Sequence, residues 1–244
     1  MTEARPRPAF YALRSGGWRD YVTLLHPPYT LWHLSYVAVG AALAPHMDWS
    51  LLGWTALAFA LAMGVGAHAL DELRGRPLQT QISPPVLAAL AAVSISAAAA
   101  IGIAVAISRT LWLLVFVAVG AFLVVAYNLE LFDGRFHGGL WFPAAWGAFP
   151  VLTAYFASAE TVRGAAFAGA AYAFATSWVQ RKLSTPVRLV RRRVVTVDGE
   201  MELDDGTTLP VDADALAAVP EAALKALAAA TVLIAVALLL FRAG

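Results

Sequence analysis

The chain has 244 residues, 60% of them apolar and 14% charged, with a mean hydropathy of +0.69. A soluble domain carries about 25% charged residues, so too little polar chain remains here to cover a water-facing surface. The formal net charge of +1 averages strong local asymmetries and offers no footprint for nucleic acid, and the absence of cysteine excludes disulfides.

Residues 1–25 are Arg-rich but lack the short apolar core and small-residue cleavage site of a signal peptide, and they read as a cytoplasmic N-terminal arm. A spanning helix needs roughly 20 mostly apolar residues. Six segments meet or approach that length, at 29–45, 50–70, 86–107, 110–128, 140–158 and 162–180, which groups 26–182 as a six-span membrane domain. The first opens at Pro27–Pro28, residues suited to a helix's first turn. Trp18, Tyr29, Trp49, Trp112, Tyr127, Trp141 and Trp178 lie near span ends, as interfacial anchors do.

Residues 183–220 break this pattern. The run VVTVDGEMELDDGTTLPVD carries β-branched stretches interrupted by Asp198-Gly199 and Asp205-Gly206, both hairpin-turn dipeptides. It predicts two or three short strands on the cytoplasmic face, and such a hairpin, marginal alone, has to lean on the membrane domain. A last transmembrane helix follows within 221–244. The expected fold is an all-α membrane protein with about seven transmembrane helices and a small β-hairpin-like cytoplasmic insert.

Basic residues give the orientation. Alternating passage puts fourteen Lys and Arg on one side, among them Arg5, Arg7, Arg14, Arg19, Arg135 and Lys225, and only Arg109, Arg163 and Arg242 on the other. The positive-inside rule then predicts a cytoplasmic N-terminus and an external C-terminus, in an integral protein of a prokaryotic plasma membrane.

The chemistry-bearing stretch is the end of the second span. His68, Asp71 and Glu72 stand at i, i+3 and i+4, which predicts one shared helical face. Ionisable residues at this depth are costly and face a bundle interior or a watery cavity. A carboxylate pair beside a histidine suits a hard divalent cation or acid–base work, which makes Asp71 and Glu72 candidate metal ligands and His68 a candidate catalytic partner. The competing reading pairs Asp71 and Glu72 with Arg74 and Arg76 at an ordinary interfacial helix end. Further polar groups fall at the same depth: His26 and His33 near the start of the first span, Tyr127, Asn128 and His137 after the fourth, and Gln180, Arg181 and Lys182 at the end of the sixth. Together these four span ends predict one polar-walled cavity.

The run Arg76-Pro77-Leu78-Gln79-Thr80-Gln81-Ile82-Ser83-Pro84, with Tyr127-Asn128-Leu129, Gly134-Arg135 and Trp146-Gly147-Ala148-Phe149-Pro150, resembles the UbiA superfamily of intramembrane prenyltransferases over about residues 22–158. In that family a helix ends in an Asn–three residues–Asp motif, followed by a loop that closes on an Arg-Pro-Leu turn. Asp71 stands at the closing Asp and Arg76 at the basic residue of the turn, whereas Ala67 stands at the Asn. The resemblance implies a helical bundle around a lipid-open cavity and transfer of an isoprenyl chain from its diphosphate. It also implies Mg²⁺ held by two Asp-rich motifs, which stabilises the leaving diphosphate. No acid occurs between Glu160 and Asp198, so Gln180-Arg181-Lys182 replaces the second motif.

Two arrangements stay open. Arg74, Arg76, Arg181 and Lys182 meet a diphosphate directly, with Tyr127 and Asn128 at the substrate and at most one metal on Asp71 and Glu72. Alternatively, the acids of span two pair with the bases of span six. The corresponding functions are a prenyltransferase acting on an isoprenyl diphosphate or related lipid, and a non-catalytic lipid-binding or scaffold protein. In the second, the 183–220 insert docks a cytoplasmic protein partner.

Overall fold

In the computed structural model, which describes residues 8–244, the chain is mostly helical with one small antiparallel sheet. Arg5 and Arg7 of the N-terminal arm lie outside the described residues. Among the described residues, three helices are long and apolar enough to cross a membrane: Trp49–Gly75, Pro84–Ser108 and Ala213–Ala243. The elements in order are α1 (Trp18–Leu24), α2 (Pro27–Leu43), α3 (Trp49–Phe59), a π-helical segment Ala60–Ala67, α4 (His68–Gly75), α5 (Pro84–Ser108) and α6 (Leu113–Asn128). Then come α7 (Trp141–Pro143), a second π-helical segment Ala144–Ala148, α8 (Phe149–Ala159), α9 (Gly164–Arg193), β1 (Gly199–Glu202), β2 (Thr208–Val211) and α10 (Ala213–Ala243).

Local sequence explains the helix starts. Proline opens α2 and α5, where a missing N–H costs nothing, and the Asp48 carboxylate accepts from the Leu51 N–H to cap α3. Outward-facing Val93, Ile107, Leu233 and Leu240 are more than half exposed, which suits helix faces turned to lipid. Small residues bring backbones together inside the bundle. A Cβ on Gly40 would lie 2.3 Å from the Val151 carbonyl oxygen, and one on Gly147 would lie 2.5 Å from that of Ala173. Only glycine fits at either crossing.

The helices have two chemically distinct ends. At one, Asp48 pairs with Arg109, and Arg242 donates to the carbonyls of Ala42 and Ala44. At the other, the N-terminal arm packs over the helix ends: Leu13 N–H donates to Thr23 Oγ1, and Asp20 accepts from the N–H groups of Gly16 and Gln81. The Lys225 ammonium lies 5.1 Å from the Phe10 ring centre. With Arg242 at the end of α2 and Phe10 in edge contact with Tyr29 at its start, α2 and α10 run side by side in the same direction.

Helical structure continues across the expected boundary at 182/183. Helix α9 passes through Pro186 and ends only at Arg193. Proline removes one helical N–H and crowds the preceding turn. The helix continues because its last turns are tied to α10: Arg191 Nε and Nη2 donate to the Glu221 carboxylate, and Nη1 donates to Asp214. The last helix likewise begins at Ala213 rather than 221. Asp212 caps it through the Ala215 N–H, and it runs through Pro220. Between the two lies one exposed hairpin, with Glu202 opposite Thr208 and Gly199 opposite Val211. Asp205-Gly206 makes its turn, with Gly206 at φ 80° and the Thr207 N–H donating to Asp205 Oδ1. Gly199 of the other dipeptide opens β1 instead of turning the chain.

Candidate functional site

A polar cavity of about 230 Å³ opens where α2, α4, α6 and α9 converge beneath the N-terminal arm. The four helix ends expected to share a cavity therefore meet at one place. Helix α2 supplies His26 at its cap and His33 about two turns in; α4 supplies His68 and Asp71; α6 supplies Tyr127 and Asn128; α9 supplies Gln180, Arg181, Arg188 and Arg192. The π-helical segments contribute Met63, Ala67 and Trp146. Such wide turns re-aim side chains by one position and recur at functional sites.

Aromatic stacking and backbone hydrogen bonds hold the wall in place. The His26 and His68 rings stack with centres 4.0 Å apart, and Tyr11 Oη shares a hydrogen bond of 3.0 Å with His26 Nδ1. Burial pushes the Tyr11 phenol up, with Tyr29 adding to the effect, so its hydroxyl stays protonated. His33 Nδ1 donates to the Trp146 carbonyl at 2.7 Å. Arg181 donates to Tyr127 Oη at 2.7 Å and to the His137 carbonyl at 3.3 Å, with its guanidinium 5.5 Å from the Phe142 ring centre. Asn128 turns its amide back to the Val124 carbonyl.

Other expected site residues point elsewhere. Glu72 is fully buried and does not line the cavity; its carboxylate accepts from Leu78 N–H at 2.9 Å, Thr80 N–H at 2.8 Å and Thr80 Oγ1 at 2.8 Å. The shared face of His68, Asp71 and Glu72 thus divides, with the first two on the cavity and the third knotting the loop after α4. Arg76 joins that knot, donating to the carbonyls of Thr80 and Ile82. Arg74 pairs with Glu130 and also donates to the Leu129 carbonyl. Lys182 lies over the Trp178 ring, 5.4 Å from its centre. Asp71 has no ion-pair partner among the described residues, so neither the pairing with Arg74 and Arg76 nor a bridge to Arg181 forms.

These placements bear on Mg²⁺. Both Glu72 oxygens are consumed by the loop, and among the described residues no cluster of three or more His, Asp or Glu side chains is arranged to hold a metal ion. That leaves one carboxylate, Asp71, in a cavity that Arg181, Arg188 and Arg192 also line. Three guanidinium groups repel a dication more than one carboxylate attracts it, so these residues do not fit a Mg²⁺ site. The same charges favour an anion, and guanidinium forks match phosphate oxygens.

Behind the polar cavity lies an apolar pocket of about 120 Å³ between α3, α5, α6 and α8, whose walls include Phe59, Ile95, Phe116 and Phe149. Met63 and Trp146 belong to both walls, so the two spaces abut.

The sequence reading missed Tyr11, Tyr29, Arg188 and Arg192. The two arginines were legible in principle: Arg181, Ser184, Arg188 and Arg192 recur at helical spacing, a face hidden by ending the sixth span at Lys182. Tyr29 was legible in the same way, three residues after His26 and four before His33 on one face of α2. Tyr11 carries no spacing signal, because the arm folds back over the cavity only in three dimensions. No protein-family profile, curated protein or solved structure matches this chain.

Proposed function

We propose that this chain is a UbiA-like membrane protein of seven spans, with a cytoplasmic N-terminus and an external C-terminus. In this reading it takes an isoprenyl diphosphate, or a lipid phosphate of the same amphiphilic shape, into the cavity beneath the arm. The observation that carries the reading is the junction of an arginine-lined polar space with an apolar pocket across Met63 and Trp146. A phosphate head meets Arg181, Arg188 and Arg192 at one end, and the hydrocarbon chain occupies the other. In prenyl transfer the allylic C–O bond breaks and the diphosphate leaves with the electron pair, its growing charge stabilised by the guanidinium groups. The acceptor forms the new bond to the freed carbon and gives its proton to Asp71 or His68.

A second reading, lipid binding without turnover, is favoured by the engagement of Glu72 in the loop. There the exposed hairpin is the docking element for a cytoplasmic partner.

The deciding experiment is binding of geranylgeranyl diphosphate to the purified chain, with Mg²⁺ and with EDTA, followed by mass spectrometry for prenylated products. Binding should persist in EDTA, and the Arg188→Ala/Arg192→Ala variant should weaken it by about tenfold or more, the cost of losing charge-assisted hydrogen bonds. Asp71→Asn should leave binding in EDTA intact. Binding seen only with Mg²⁺ would reinstate a metal site, and none in either condition would end the lipid-phosphate reading. Binding without any product selects the second reading.

A further inference from the structure

The cavity has a second chemical character that a phosphate does not use. A backbone carbonyl only accepts, so each histidine nitrogen bonded to one carries its proton there. His33 Nδ1 donates to Trp146 O, His68 Nδ1 to Gly64 O at 3.1 Å, and His137 Nδ1 to Tyr127 O at 3.0 Å. In the neutral imidazole this leaves Nε2 as a lone-pair acceptor on all three rings. Gln180, 4% exposed, lines the same cavity, and its Oε1 is buried without a hydrogen-bond partner among the described residues. A buried acceptor left unpaired is costly, and a donor held in the cavity would relieve that cost. Asp71 adds a carboxylate, also an acceptor.

We infer that this wall is a subsite for a neutral polyhydroxylated co-ligand, whose hydroxyl groups donate to His33, His68, His137 and Gln180. An ammonium donor is disfavoured, because among the described residues three guanidinium groups and one carboxylate line the space. A hydroxyl carries no charge, and it accepts from the arginines as readily as it donates to the imidazoles. The subsite rests on the lipid-phosphate reading for its role, since a hydroxyl held on an imidazole Nε2 is positioned to act as acceptor. Its own support, the orphaned Gln180 oxygen and the three locked tautomers, is independent of that reading.

The test is saturation-transfer NMR on the full chain in detergent micelles, with myo-inositol as probe and 1,4-dioxane, which accepts but cannot donate, as control. Inositol should show saturation and dioxane none. Gln180→Leu should reduce the inositol signal by about fivefold, as loss of one buried hydrogen bond predicts, while geranylgeranyl diphosphate binding is kept. If Gln180→Leu fails to give a monodisperse protein, Gln180→Met supplies the same readout. Equal signals from inositol and dioxane, or an inositol signal unmoved in these variants, would overturn the subsite. Inositol saturation that survives in a chain unable to bind geranylgeranyl diphosphate would sink the lipid-phosphate reading alone.

Discussion

Glu72 and Asp71 are adjacent in sequence and opposite in duty. Glu72 replaces water with three protein donors, so its charge is satisfied without a metal, whereas Asp71 faces the cavity with no ion-pair partner among the described residues. Glu72→Gln turns an amide NH₂ toward backbone N–H groups and should cost about 2 kcal/mol, read as a lowered Tm in detergent. Asp71→Asn should leave Tm nearly unchanged. Asp48 makes a different residue-scale test. The Leu51 N–H, and with it the Arg109 guanidinium, holds this carboxyl below its ordinary range. A lowered carboxyl contributes stability that is fully present above the ordinary value and is lost as pH falls through the lowered one. Asp48→Ala should therefore cost about 1 kcal/mol near neutral pH, as a lost helix cap does. In a Tm series against pH, the gap to the parent protein should close in acid.

At the scale of elements, α9 is the piece whose continuity matters most. Its passage through Pro186 carries Arg188 and Arg192 onto the cavity; a helix ending at Lys182 would leave that space with Arg181 alone. The tie from Arg191 to Glu221 sets this extension against α10, so Glu221→Ala should loosen it. The expected readout is weaker geranylgeranyl diphosphate binding together with faster amide exchange over 187–193. The hairpin behaves differently. Every residue of β1 is exposed, and only Val211 in β2 is less than exposed. Replacing 199–211 with a Gly–Ser linker should leave Tm within about 2 °C, as expected where little apolar surface is buried. A larger fall would mean that the hairpin supports the bundle. Gly40→Val and Gly147→Val should abolish a monodisperse size-exclusion peak, because each puts a branched side chain where a backbone carbonyl already stands.

For the whole molecule, the proposed seven spans make a topological prediction that the cysteine-free sequence allows to be tested directly. Single cysteines at His46, Val162 and Gly244 should react with an impermeant maleimide from outside intact cells. Those at Arg14 and Asp205 should react only after lysis. The reverse pattern would invert the protein, and a mixed one would change the number of spans. The parallel course of α2 and α10, with Arg242 against the end of α2, is what first and seventh passages require.

The helical architecture, the apolar stretches, the hairpin turn at Asp205-Gly206 and the convergence of four polar helix ends were legible in the sequence, because each rests on local composition or spacing. Apolar length, turn dipeptides and the placement of charge relative to apolar runs need no knowledge of what packs on what. Tertiary structure alone decided which polar groups share the cavity. Glu72, Arg74 and Arg76 carry the same charge as the residues that stay, but neighbouring loops and helix ends capture them. Arg188, Arg192 and Tyr11 enter the cavity because α9 is braced past its proline and the arm folds across its mouth. A side chain's role in a low-dielectric site depends on whether its charge is already satisfied, and that is a property of the neighbours the fold supplies.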